Sequence, residues 1–267
     1  LLKIDEVNNL GAARIRIRSL LAAMRMRKEQ NVKAVPKPAV YHRTEFTEQM
    51  FKDGYTILAP QMSPIHFDLV EPVFRKYGFN VVILDNDNRT AVDVGLKYVN
   101  NDACYPSIVV VGQIMEAVLS GRYDTDRLAI AMSQTGGCCR ASNYVGFIRR
   151  ALDKVGLSHI PVISVNANGM EKNGGFRVSP GLLFDAVKAI VYGDLFMRCL
   201  YRVRPYEIVP GSADSLHEEW KKICLDSLLN PDSEYKYKDV CKGIVNAFDS
   251  FPINENIHKP RVGIVGE

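Results

Sequence analysis

Two cysteines stand where the sequence pattern opens a helix. Cys104 is followed by Tyr105-Pro106, and Cys139 follows Gly136-Gly137-Cys138. A helix N-terminus presents unpaired N–H groups and a partial positive charge, which favour the thiolate. Thiolate is the form that ligates metal or attacks electrophiles, and N–H groups aimed at sulfur tune the potential of an iron–sulfur cluster. Gly136 and Gly137 let backbone approach a bulky group closely. Cys104 and Cys139 are 35 residues apart and no C-x2-C pair is present, so the spacing matches neither a zinc ribbon nor a bacterial ferredoxin. Metal ligation and buried or redox-active thiols both remain open on spacing alone. So does phosphate binding by Thr135-Gly136-Gly137 at a helix start, although the Lys-Ser/Thr of a P-loop is missing. His66, just after Ser63-Pro64, could protonate a leaving hydroxyl or contact a substrate. Bonding to helix-start backbone is the plainer role for it.

The elements that must hold these residues alternate. Tyr55 to Pro60 reads as a buried strand, and Ser63 as the N-cap of a helix over Pro64 to Tyr77 that Gly78 stops. Asn80 to Leu84 is a second strand. Helices follow over Ala91 to Val99 and Tyr105 to Ser120. Leu128 to Met132 is a third strand, Ala141 to Val155 a helix, and Ile160 to Val165 a fourth strand. Strands that are apolar throughout, alternating with helices, predict an α/β fold whose parallel sheet carries helices on both faces. In such sheets the working loops lie beyond the carboxyl ends of the strands. They are here Pro60 to His66, Ser133 to Arg140 and Asn166 to Gly169. Long helices over Leu182 to Tyr201, Ser212 or Asp214 to Leu229, and Tyr237 to Phe251 form a helical extension. The expected organisation is a basic amphipathic helix and linker over 1–43, an α/β domain over 44–180, the extension over 181–259, and a new strand beginning within 260–267.

Composition sets the bounds. The chain of 267 residues is 47% hydrophobic and 24% charged, enough for a sizeable core. A net charge of +4 gives no argument for nucleic acid. No apolar run reaches the roughly 18 residues of a membrane helix, and residues 1–10 lack the order of a signal peptide. Six cysteines without an export signal predict reduced thiols or metal ligands and a cytoplasmic setting. The first residue is not Met, and both ends are expected to be boundaries within a longer chain. Arg14, Arg16, Arg18, Arg25, Arg27 and Lys28 stud the first helix. They read as solvated residues beside an apolar face packed on the body, with binding to a membrane surface or an acidic partner as the alternative.

Several segments together carry a resemblance. Asn100-Asn101-Asp102-Ala103-Cys104-Tyr105-Pro106, Met132-Ser133-Gln134-Thr135-Gly136-Gly137 and Cys139-Arg140-Ala141-Ser142-Asn143-Tyr144 look like signature segments of the large activase-related proteins. These are similar to 2-hydroxyacyl-CoA dehydratases and their ATP-dependent activators. Tyr201 to Glu207 and Val209 to Ala213 also fit, and the resemblance runs from about Tyr55 to the end. It implies a Rossmann-like fold and a [4Fe–4S] cluster held by cysteines, with Cys104 and Cys139 as ligands and Cys138 as an alternative. An ATP-hydrolysing activator would supply a high-energy electron, which the cluster passes to an acyl-CoA thioester in anaerobic chemistry. Gly136, Gly137, Arg140 and Asn101 are the implied surroundings of that cofactor. The activator's own phosphate motifs are absent from these residues, so in a fused protein they would lie upstream. A homodimer or a heterodimer would suit such a module.

The remaining polar residues have plainer readings. Arg140 could neutralise cluster or CoA charge. Asn100, Asn101 and Asp102 are expected to cap the helix behind Cys104, with a role beside the cluster as the alternative. Arg202 and Arg204 could clamp a phosphate, but a salt bridge, such as with Glu207, is the expected use. Cys199, Cys224 and Cys241 read as core. His42, His159, His217 and His258 read as surface residues.

Overall fold

The computed structural model describes residues 10–31, 43–86, 88–100, 103–134, 140–166, 171–260 and 263. Contacts divide the chain into two compact units, Leu1–His42 and Arg43–Glu267. The first holds α1 (Leu10–Glu29), whose last turn carries Arg27 and Lys28 against the negative end of the helix dipole. Of the expected strand within 260–267 only residues 260 and 263 are described, and neither lies in a strand.

The second unit is built on four short strands: β1 (Thr56–Pro60), β2 (Val81–Leu84), β3 (Leu128–Ser133) and β4 (Val162–Val165). They form one sheet in the order β2-β1-β3-β4, and every pairing is parallel. The helices are α2 (Glu48–Lys52), α3 (Pro64–Lys76), α4 (Arg89–Tyr98), α5 (Tyr105–Leu119), α6 (Tyr144–Lys154), α7 (Pro180–Val203), α8 (Ser212–Leu229) and α9 (Tyr237–Asp249). The expected α/β fold with helices on both faces and a helical extension is what the chain forms.

Period-two alternation divides the strands between two cores. Ile57, Val81, Ala129, Ala131 and Ile163 face Leu69 and Val73 of α3, behind which Tyr192 and Phe196 of α7 and Ile244 and Phe248 of α9 complete one layer. Leu58, Leu84, Ile130, Met132 and Val162 face the other way, onto Val111, Ile114 and Met115 of α5 and Ile148 and Leu152 of α6. The strand centres are covered on both sides, which is why their sequences are mainly apolar and not alternating.

Helices α4 and α5 cross at backbone contact. A Cβ placed on Gly95 would lie 2.0 Å from the Ile108 carbonyl oxygen, and one on Gly112 would lie 1.9 Å from that of Ala91. Glycine is therefore required at both positions, and the pair fixes the helix that Cys104 opens.

Candidate functional site

The chain leaves β1 toward one face of the sheet, through α3, and leaves β3 toward the other, through α6. Because β1 and β3 are neighbours, their outgoing loops diverge and open a crevice between the carboxyl ends, where ligands of such sheets bind. A cleft of about 180 Å³ lies there, with Ala59, Met62, Phe67, Ala131, Met132 and Val165 among its walls. A larger cleft of about 370 Å³ opens beside the C-terminal end of α3, lined by Phe51, Tyr77, Phe79 and Arg177. It holds none of the residues that the sequence singled out.

A hydrogen-bonded chain stiffens the mouth of the crevice. The Gln134 amide N–H continues the ladder to the Val165 carbonyl at 2.9 Å. Ser164, nearly fully buried, donates its hydroxyl to Gln134 Oε1 at 2.6 Å. Gln134 Nε2 in turn donates to the Ser142 carbonyl at 2.9 Å. Asn166 Nδ2 donates to Ser164 Oγ at 2.9 Å. The last residues of β3 and β4 and the 3-10 turn Arg140–Asn143 are thereby tied together. A half-buried amide with both ends used is costly to disturb, so the network holds these positions firmly.

Cys104 is the N-cap of α5, in extended conformation (φ −62°, ψ 148°) and half-buried. Its carbonyl accepts from Ser107 Oγ at 2.7 Å. Its Sγ lies 3.4 Å from the hydroxyl of Tyr144, the first residue of α6. Cys104 itself holds the cap position expected for the Asn100–Asp102 stretch. Of that stretch only Asn100 is described, its carbonyl accepting from the Ala103 amide. Asn101, Gly136, Gly137, Cys138 and Cys139 lie outside the described residues, as does the side chain of Arg140. Among the described residues no group of three or more His, Cys, Asp or Glu side chains is arranged to hold a metal ion.

The other described cysteines fit their reading as core. Cys224 is buried and Cys199 and Cys241 pack against the same core. Burial pushes the Cys224 thiol up to about 12 and raises those of Cys199 and Cys241. Thiols held protonated in this way are poor ligands and poor nucleophiles.

His66 has side-chain partners on both nitrogens. Ser63 is the N-cap of α3 as the sequence predicts, but its hydroxyl makes no capping bond. It lies 2.7 Å from His66 Nδ1. His66 Nε2 lies 3.0 Å from Asp194 Oδ1, on α7. The imidazole is 13% exposed, and Asp194 is mostly in solvent. The ring lies flush on α7, where a Cβ on Gly193 would come within 2.4 Å of His66 Cδ2. Sequence reasoning missed Asp194, which is 128 residues from His66. The available signal was a Gly-Asp pair inside a long helix, since glycine is disfavoured there unless something must come close.

No family model, no curated protein and no solved structure matches this chain. Two polar expectations change with the geometry, the partner of Glu207 and the place of His217, while Arg202 and Arg204 form salt bridges as expected. Glu207 accepts from the amides of Gly211 and Ala213 at 2.8 and 3.0 Å, capping α8, and does not pair with either arginine. Arg204 reaches Asp214 at 3.1 Å and Arg202 reaches Asp249 at 3.8 Å. His217, expected at the surface, is buried edge-on against Phe196 at 4.7 Å, and burial lowers its pKa. His159 and His258 are exposed, and His42 is outside the described residues. No described helix is long and apolar enough to cross a membrane.

Proposed function

We propose that this chain is an iron–sulfur module of a 2-hydroxyacyl-CoA dehydratase or activase-like system. In this reading a [4Fe–4S] cluster is held by Cys104 and Cys139, with Cys138 as the alternative thiol. The observation that carries it is the contact of Cys104 Sγ with Tyr144, because Tyr144 stands five positions after Cys139 and opens the helix that follows it. The donor set fits a soft metal. A thiolate at a helix N-cap is stabilised by the first-turn amides, and a tyrosine hydroxyl beside it can donate to a ligated sulfur. When bound, the cluster supplies one-electron transfer at low potential. The protein's part is to orient the thiolates and, through the Gln134–Ser164–Asn166 network, to hold the strand ends rigid.

The electron donor in this proposal is an ATP-dependent activator and the acceptor an acyl-CoA-type substrate. The crevice suits only part of such a molecule. At about 180 Å³ it is below the roughly 300–1,000 Å³ of ordinary ligand pockets, which leaves room for a short acyl chain.

Protein purified without oxygen is expected to be brown, with about four iron and four sulfide per chain. Cys104→Ala and Cys139→Ala should each lower both contents sharply. Anaerobic protein holding neither iron nor sulfide would end the proposal.

A further inference from the structure

We propose that Ser63, His66 and Asp194 form an acyl-transfer centre in which Ser63 is the nucleophile, His66 the general base and Asp194 the residue that positions the imidazole. Two departures from ordinary helix chemistry and one contact converge there. An N-cap serine normally uses its hydroxyl on a first-turn amide. Ser63 forgoes that bond and lies 2.7 Å from His66 Nδ1. A helix interior normally avoids glycine. Gly193 is present where any Cβ would strike the imidazole at 2.4 Å, so α7 is shaped around the ring. The far nitrogen, Nε2, meets Asp194 Oδ1 at 3.0 Å, so both ring nitrogens are engaged and the imidazole is held in one orientation. With the serine proton shared toward Nδ1, the ring carries its hydrogen on Nε2 and gives it to the carboxylate. This is the nucleophile, base and orienting-acid order of a serine triad, with the two ring nitrogens exchanged.

The surroundings indicate the substrate class. Ser63 is half-buried at the carboxyl end of β1. Met62 and Phe67, which flank Ser63 and His66 in sequence, are walls of the apolar cleft. A short-chain acyl ester or thioester would seat its hydrocarbon there and bring its carbonyl toward the serine. In the reaction Ser63 Oγ bonds to the carbonyl carbon and its proton passes to His66 Nδ1. The adduct then collapses, the bond to the alkoxide or thiolate breaks, and that group takes the proton from His66. Water next attacks the acyl-serine, giving a proton to His66, and the free acid leaves as the proton returns to Ser63 Oγ. No redox partner and no metal is needed, so the proposal is independent of the cluster.

A fluorophosphonate probe on the full chain, followed by peptide mass spectrometry, tests it. Wild-type protein should be modified at Ser63 and should hydrolyse p-nitrophenyl butyrate, and wild-type protein stripped of iron by a chelator should do both equally well. Ser63→Ala should abolish both signals. His66→Ala should slow hydrolysis by about 10²–10⁴-fold, with added imidazole restoring part of it. For Asp194→Asn, imidazole 15N shifts should report loss of the single Nε2–H tautomer alongside slower hydrolysis, which a purely structural contact would not produce. If folded wild-type protein takes no label, or takes it elsewhere than Ser63, the proposal is overturned whatever the variants do.

Discussion

Replacing Gly112 with alanine should weaken the fold by an amount that can be worked from the α4–α5 crossing. In a free helix the change is favourable by about 1 kcal/mol, because alanine loses less backbone freedom on folding. Here the new Cβ would lie 1.9 Å from the Ala91 carbonyl oxygen, and that atom is backbone of another helix. Reaching ordinary contact, at about 3.4 Å, needs the two helices to part by roughly 1.5 Å along a line that also holds Gly95 against Ile108. Forced separation of packed elements costs typically 1–3 kcal/mol and at times more. Because the struck atom is backbone and cannot swing aside, the upper part of that range, about 2–3 kcal/mol, applies, and after the propensity gain the net loss is about 1–2 kcal/mol. Gly146, on α6, is the control, since a Cβ there would meet nothing within 4 Å. The same substitution at Gly146 should stabilise by about 0.5–1 kcal/mol. Urea titrations of the three proteins, compared at equal m-value, read both signs. Gly112→Ala as stable as the parent would refute the close crossing, and with it the account of how the Cys104 end of α5 is held.

Two further outcomes concern pH. Arg149 hydrogen-bonds Glu171 through both terminal nitrogens, at 2.7 and 2.6 Å, and holds its carboxyl below the usual carboxylate range. That stability is present above the unfolded value near 4.5 and is lost as pH falls through the lower folded value. Arg149→Ala should therefore cost about 1–2 kcal/mol at pH 7 and progressively less below pH 4.5, as read by urea midpoints. For His217 the lowered pKa means that the unfolded chain takes up a proton near pH 6.5 while the folded protein does not. Stability should fall as pH drops from 7 to 5, and His217→Phe should remove that part of the slope. An unchanged slope would show that the ring is not neutral in its pocket.

The fold was legible in the sequence because its strands are short apolar runs punctuated by Gly, Pro and Asn, and each helix after them shows its start and stop. Boundaries moved where local chemistry competed. The helix read from Ala141 opens with a 3-10 turn and becomes α-helical only at Tyr144. His217 was misread from its residue type, although its position was informative. It stands on the stripe of Ala213, Cys224 and Leu228, all of which are buried. Glu207 reads as the partner of a neighbouring arginine because charge suggests charge. It turned instead to the amides at the start of α8, which have no partner within that helix. Asp194 was invisible for another reason. Nothing local announces a partner 128 residues away, and only the packing of α7 on α3 creates it.

The strand order carries a consequence for how the chain folds. β1 occupies the middle of the sheet, yet its inner partner is β3, with Thr56 paired to Leu128. Until that loop of some seventy residues closes, β1 can pair only with β2, and Ile57 and Leu58 remain beside an open edge. Contacts of such long sequence separation slow the search, and the waiting species offers unpaired backbone and bare apolar surface. Refolding of this protein should accordingly lose yield as concentration rises, with aggregation competing at the step that brings β3 to β1.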